Sequence, residues 1–335
     1  MILHIFPDFL IAVLPVSLFL AMLVYLDSYK LMKFPKVIKM VFLGGGAAFV
    51  AYLVNMVLLE SLPLEIPSYT IYVAPIIEES IKAFFVFYLI KKNRINFLVG
   101  AAIGGFAVGS GFALVENLYF LYSLPPSTPM VWIIRGFGTA MMHGACSVIF
   151  AIITELRWDK EESWKAFLPG LLAAISIHCF YNCFLLSPVL SVIVILFFLP
   201  SLILFTLNRS EMALEEWIGV GIDAHAQLLS LIHSGEFHQS KTGIYLNSLC
   251  FYFSPAVVVD MLCYIRIQAE LSMLCKGILL AQKRGFNIKT DESVQDKLRE
   301  LSVLEASIGA TGKRALTPIL GATRRDKWQL SLLVD

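Results

Sequence analysis

Seven apolar blocks run from residue 7 to residue 207, at roughly 7–27, 37–60, 69–90, 96–122, 130–154, 166–186 and 188–207. A helix needs about 20 predominantly apolar residues to cross a bilayer, and each block is about that long. Turn or charge signals separate them, at 27–39, 60–68, 91–94, 123–129 and 157–165, and at the short Ser187-Pro188 step. Only 15% of the residues are charged and the mean hydropathy is +0.77. Soluble domains carry about 25% charged residues, so too few are present to clothe a water-facing surface of this size. Beyond Leu207 charged residues recur every few positions. The expected fold is therefore an all-α polytopic membrane bundle over 1–207, followed by a small helical, water-facing domain over 208–335.

Lys and Arg fall on alternate loops. Lys30, Lys33, Lys36 and Lys39 lie in the first loop, Lys91, Lys92 and Arg94 in the third, and Arg157, Lys160 and Lys165 in the fifth. The intervening loops have none. Positive charge is retained on the cytoplasmic side, which predicts an outside N-terminus and a cytoplasmic tail. The first block is expected to remain as a span, because its basic cluster follows the apolar run instead of preceding it. A net charge of +1 gives nucleic acid no electrostatic hold. Six cysteines without framework spacing imply no disulfide scaffold.

Ionisable residues inside these blocks need a reason, since each costs about 2.5–3.5 kcal/mol at mid-membrane on insertion scales. The third block holds Glu78, Glu79 and Lys82, the fourth Glu116, the fifth Arg135 and His143, and the sixth His178 with Asn182. At ~1.5 Å per residue they lie about 9–20 Å from the outer boundary, compatible with one layer. Lys82 is four residues from Glu78 and three from Glu79, so it can neutralise either one. The other carboxylate is then available as a general base acting on water. His178 and Asn182, at i,i+4, share a helix face and could donate to a developing oxyanion. Arg135 is expected to snorkel to the outer interface, and Asn55 to be structural. The glycine-rich run of the fourth block places Gly100 and Gly104, and Gly105 and Gly109, at four-residue spacing. That spacing suits close helix packing, here expected to bring Glu116 toward the third span. Gly44-Gly45-Gly46 is read the same way, as a packing or kinking element.

These strings carry a resemblance. Glu78-Glu79-Ser-Ile-Lys82 resembles the EExxK motif of the PrsW family of intramembrane proteases. Phe112 and Glu116 match its FxxxE, His143 its single histidine, and His178 with Asn182 its HxxxN, in the same order over roughly 10–205. The resemblance implies peptide-bond hydrolysis at or within the membrane, with Glu78, Glu79, Glu116, His143, His178 and Asn182 as site residues and Lys82 and Phe112 in support. It implies a bacterial or archaeal plasma membrane, and a membrane-protein or peptide substrate of the anti-sigma-factor kind. The related CAAX prenyl endopeptidases use EExxxR and FxxxH. Here Lys82 sits one position early and Glu116 replaces a histidine, which disfavours CAAX processing. Zinc held by Glu79, Glu116, His143 and His178 is the cofactor alternative, but no HExxH is present. The expectation is a metal-free glutamate mechanism.

A proton- or cation-coupled transporter could use the same residues, although no convincing inverted repeat is visible. A scaffold that binds a membrane partner without cutting it is the third reading. In the tail, helices are expected from Ser210 onward, from Ser254-Pro255 to about Arg284 with Gly285 closing it, and from Thr290 to about Ile308. Ile244 to Tyr264 is an unfavoured eighth span. His225, His233 and His238 fit no metal motif.

Overall fold

The structure, a computed structural model, describes residues 2–125, 127–161, 164–286, 288, 292–320 and 324–333. Helices and turns account for these residues, with no strand among them. Two compact units divide the chain at Glu211/Met212.

The first unit begins with α1 (Ile2–Leu26) and α2 (Phe34–Ser61). A π turn at Tyr69–Val73 then leads into α3 (Ala74–Lys91), and α4 spans Phe97–Ser123. A second π turn, Ile134–Thr139, precedes α5 (Ala140–Glu161), followed by α6 (Phe167–Asn182) and α7 (Pro188–Ser234), whose residues from Met212 on belong to the second unit. Six helices are long and apolar enough to cross a bilayer: Phe6–Leu26, Phe34–Ser61, Phe97–Ser123, Pro129–Trp158, Trp164–Asn182 and Pro188–Ser234. The third apolar block forms α3, which Glu78, Glu79, Lys82 and Lys91 set apart from those six. Large apolar side chains stand exposed on the outer helices, among them Leu18, Leu172, Phe197 and Phe205. Lipid tails are the natural solvent for such a surface.

Helix α4 is the axis of this unit, because its small residues let other backbones come close. A Cβ at Gly111 would lie 1.9 Å from the Val41 carbonyl oxygen, and one at Gly44 would lie 2.0 Å from that of Val108. On the other side a Cβ at Gly109 would meet the His143 carbonyl oxygen at 2.5 Å, and one at Gly105 that of Ser147 at 2.6 Å. Gly46 faces open space, so the glycine triplet packs through Gly44 and Gly45 and kinks nothing. Gly111→Ala is accordingly expected to cost about 1–3 kcal/mol by overpacking backbone against backbone. Gly46→Ala should stay within about 0.5 kcal/mol. Thermal unfolding of the purified protein in detergent compares them; equal melting temperatures would contradict the packing argument.

The sequence suggests a helix start at Ser210, but α7 runs through that position without a break. Ser210 is buried, and its hydroxyl accepts from the Val99 backbone N–H at 3.1 Å. It therefore satisfies the start of α4, whose N-cap Asn96 makes no side-chain cap bond.

In the second unit α8 (Lys241–Ser248) is capped by Ser240, which accepts from the Gly243 N–H at 3.0 Å. The Leu249–Phe251 turn separates it from α9 (Pro255–Lys283), so the Ile244–Tyr264 stretch is no continuous span. Helix α9 starts after Ser254 and stops before Gly285 at φ +83°, as the cap residues predict. Segment α10 (Glu292–Ala315) is broken at Gly309, φ +66°, next to the end expected near Ile308; its Leu301 and Ile308 share a buried apolar cluster with Met261 and Ile265, and α11 (Arg324–Ser331) follows.

Candidate active site

Adjacent helix positions point about 100° apart, so Glu78 and Glu79 cannot play the same part. Glu79 turns inward and is 1% exposed; the Glu78 side chain is 18% exposed. Of the two carboxylates within its reach, Lys82 takes Glu79, with Nζ 2.7 Å from Oε1. The same oxygen lies 2.7 Å from Nδ1 of His178, on α6. Lys82 Nζ is also 3.0 Å from Nδ1 of His143, on α5, and 4.8 Å from the centre of the Phe112 ring. Phe112 in turn lies 5.0 Å from the His143 ring, which meets the His178 ring edge to face at 4.9 Å. Lys82, His143 and His178 are all buried. A lysine is tolerated there because a carboxylate, an imidazole and an aromatic face surround its ammonium.

Two carboxylates border this buried group on its more open side. Glu78 Oε2 lies 3.9 Å from Nε2 of His178, and its other oxygen accepts from Asn55 Nδ2 at 3.4 Å. Tyr69, at the start of the first π turn, donates to Asn55 Oδ1 at 2.9 Å. Glu116, a quarter exposed, has Oε2 2.7 Å from Nε2 of His143 and Oε1 3.1 Å from the Arg135 guanidinium. Packing on α4 thus delivers Glu116 to α5 and the second π turn, and close enough to the third span for its charge to act on Glu78, as the sequence suggests. It is Phe112, one turn earlier, that reaches Lys82 of α3.

Glu78, Glu79, Lys82, Phe112, Glu116, His143 and His178 come together; Asn182 does not join them. Its Nδ2 donates to the Thr70 carbonyl at 2.9 Å, tying the end of α6 to the first π turn. Arg135 does not snorkel outward: it pairs with Glu116, and its guanidinium lies 3.9 Å from the centre of the Phe120 ring. Asn55 supports Glu78. Arg135 was visible in the sequence as a charge within a span, but Tyr69 carried no signal, because tyrosine is ordinary near a membrane boundary.

Glu78, His143 and His178 each offer a ligand atom within 4.8 Å of the others, and they form the one such group among the described residues. One carboxylate and two imidazoles make a known donor set for a catalytic divalent metal with an open position. Glu79 and Glu116 each engage a ring nitrogen of one histidine, the outer-shell contact that orients a metal-binding imidazole. The residues fit such an ion, although His143 would exchange its Lys82 or its Glu116 contact to bind it. The sequence-based set, Glu79, Glu116, His143 and His178, differs in its carboxylates. His225, His233 and His238 belong to no metal-binding group among the described residues.

No curated protein and no solved structure matches the chain. Residues 33–205, more than half of it, match the family model described as PrsW family intramembrane metalloprotease. This match covers the helices that carry Glu78, Glu79, Glu116, His143 and His178, and the chain belongs to the PrsW family of intramembrane proteases.

Proposed function

We propose that this multi-pass membrane protein is an endopeptidase that cuts a membrane-protein substrate of the anti-sigma-factor kind, and that Glu78, His143 and His178 hold a divalent metal beside the reactive water. The convergence of those three residues within 4.8 Å, with Glu78 as the accessible member, carries the reading. When bound, the ion would supply Lewis-acid chemistry and make a water acidic enough to react near neutral pH. Glu79 accepts from His178 Nδ1 and leaves Nε2 turned toward Glu78. Lys82 neutralises Glu79 and packs on Phe112, which fixes both histidines from behind. Glu116 takes the proton released as the water oxygen bonds to the scissile carbonyl carbon. It then gives a proton to the leaving nitrogen as the C–N bond breaks. Asn182 is given a positioning role on the first π turn, in place of the oxyanion role its motif suggests.

One observation favours a metal-free variant: the Lys82 ammonium already supplies a cation 3.0 Å from His143. In that variant Glu78 itself takes the proton from water. Metal analysis of active, purified protein separates the two. Stoichiometric metal, with cleavage lost on chelation and regained on adding zinc, is expected. Full activity in metal-free protein would overturn the metal assignment and leave Glu78 as base. The side of the membrane that holds the tail, expected to be cytoplasmic, is testable by protease protection in sealed vesicles.

A further inference from the structure

Arg135 lies outside the four motifs, yet its contacts converge on Glu116. It sits in the π turn Ile134–Thr139 directly before α5. Such turns add a residue to a helix and often occur at functional sites, where they re-aim a side chain. Its terminal nitrogen is 3.1 Å from Glu116 Oε1, and its Nε donates to Asn117 Oδ1 at 3.1 Å. Asn117 is itself anchored, donating from Nδ2 to the Ala12 carbonyl at 2.8 Å. The guanidinium plane also rests on Phe120. The fork is therefore fixed by α1, α4 and an aromatic face, and one end remains for Glu116. The other oxygen of Glu116 meets His143 Nε2 at 2.7 Å.

We infer that Arg135 is a positioning residue of this site, clamping the Glu116 carboxylate so that its second oxygen stays on His143. The inference rests on the peptidase reading for its catalytic consequence, but the clamp itself is independent of it. Each Glu116 oxygen has one partner, and the side chain is a quarter exposed. Removing Arg135 frees Oε1 and lets the carboxylate rotate toward the open side. A bare structural tie between the π turn and α4 would instead lower stability without acting through Glu116.

In membranes, Arg135→Gln is expected to lower kcat roughly 10- to 100-fold, the usual cost of losing an outer-shell partner. KM should stay within about twofold, since substrate binding is untouched. Arg135→Lys keeps the charge without the fork, and should recover much of the loss. The double variant Glu116→Gln/Arg135→Gln should be no slower than Glu116→Gln alone. Multiplying losses, or a kcat within about twofold of wild type for Arg135→Gln, would overturn the clamp. A second readout needs no substrate: the ring ¹⁵N resonances of His143 in full-length protein. Arg135→Gln and Glu116→Gln should shift them in the same sense; no change with Arg135→Gln overturns the inference. If those resonances move while wild type cleaves no membrane substrate, the peptidase reading fails and the clamp stands.

Discussion

Glu78→Gln is expected to lower cleavage by roughly 10²–10⁴-fold, whether the lost carboxylate held the metal or served as the base, while leaving the fold intact. The reason lies in what Glu78 does not do. It makes two long contacts, with Asn55 at 3.4 Å and with His178 Nε2 at 3.9 Å, and stands partly exposed at the edge of the cluster. Substitutions with so little buried contact change stability by about 0.5 kcal/mol or less. Glu78 also supplies the carboxylate of the only compact group among the described residues that could hold a metal ion, so under the proposed metal mechanism the variant should lose bound metal along with activity. The measurement is cleavage of a single-pass substrate in membranes beside the melting temperature of the purified variant. Activity within tenfold of wild type would remove Glu78 from the reaction. A collapse in stability would mean that it is a framework residue.

Lys82→Met should do the reverse and attack the fold first. Glu79 and Lys82 are each 1% exposed and 2.7 Å apart, deep inside the helix bundle. Removing one partner of a buried pair typically costs about 3–5 kcal/mol, because the other charge is left without compensation. Replacing both by neutral groups of similar shape removes that penalty. The double variant Glu79→Gln/Lys82→Met should therefore be more stable than Lys82→Met alone, though inactive. Glutamine can still accept from His178 Nδ1, which keeps that imidazole in place. Thermal unfolding of wild type, both single variants and the double completes the cycle. Simple addition of the two single losses would show that the pair is not the unit that holds this centre.

The amino-acid sequence by itself determined the membrane bundle, since blocks of apolar residues near 20 long leave the backbone no other way to satisfy itself in lipid. It also singled out the ionisable residues that the helices bring together, because a charge in such a block stands out against its surroundings. Helix ends with local chemistry were legible too: Ser254-Pro255 opens α9 and Gly285 closes it. Only the tertiary structure decided what each residue faces. Lys82 could reach Glu78 or Glu79 equally well by spacing, and packing against α5 and α6 chose Glu79. The break expected at Ser210 vanished because its hydroxyl serves the start of α4, a contact 111 residues distant in sequence. Asn182 turned to Thr70, and Arg135 turned inward to Glu116, for the same reason. Helical spacing fixes a side chain's direction on its own helix, whereas its partner depends on how the neighbouring helices are rotated and how closely their backbones approach. Here Gly44, Gly105, Gly109 and Gly111 set that approach.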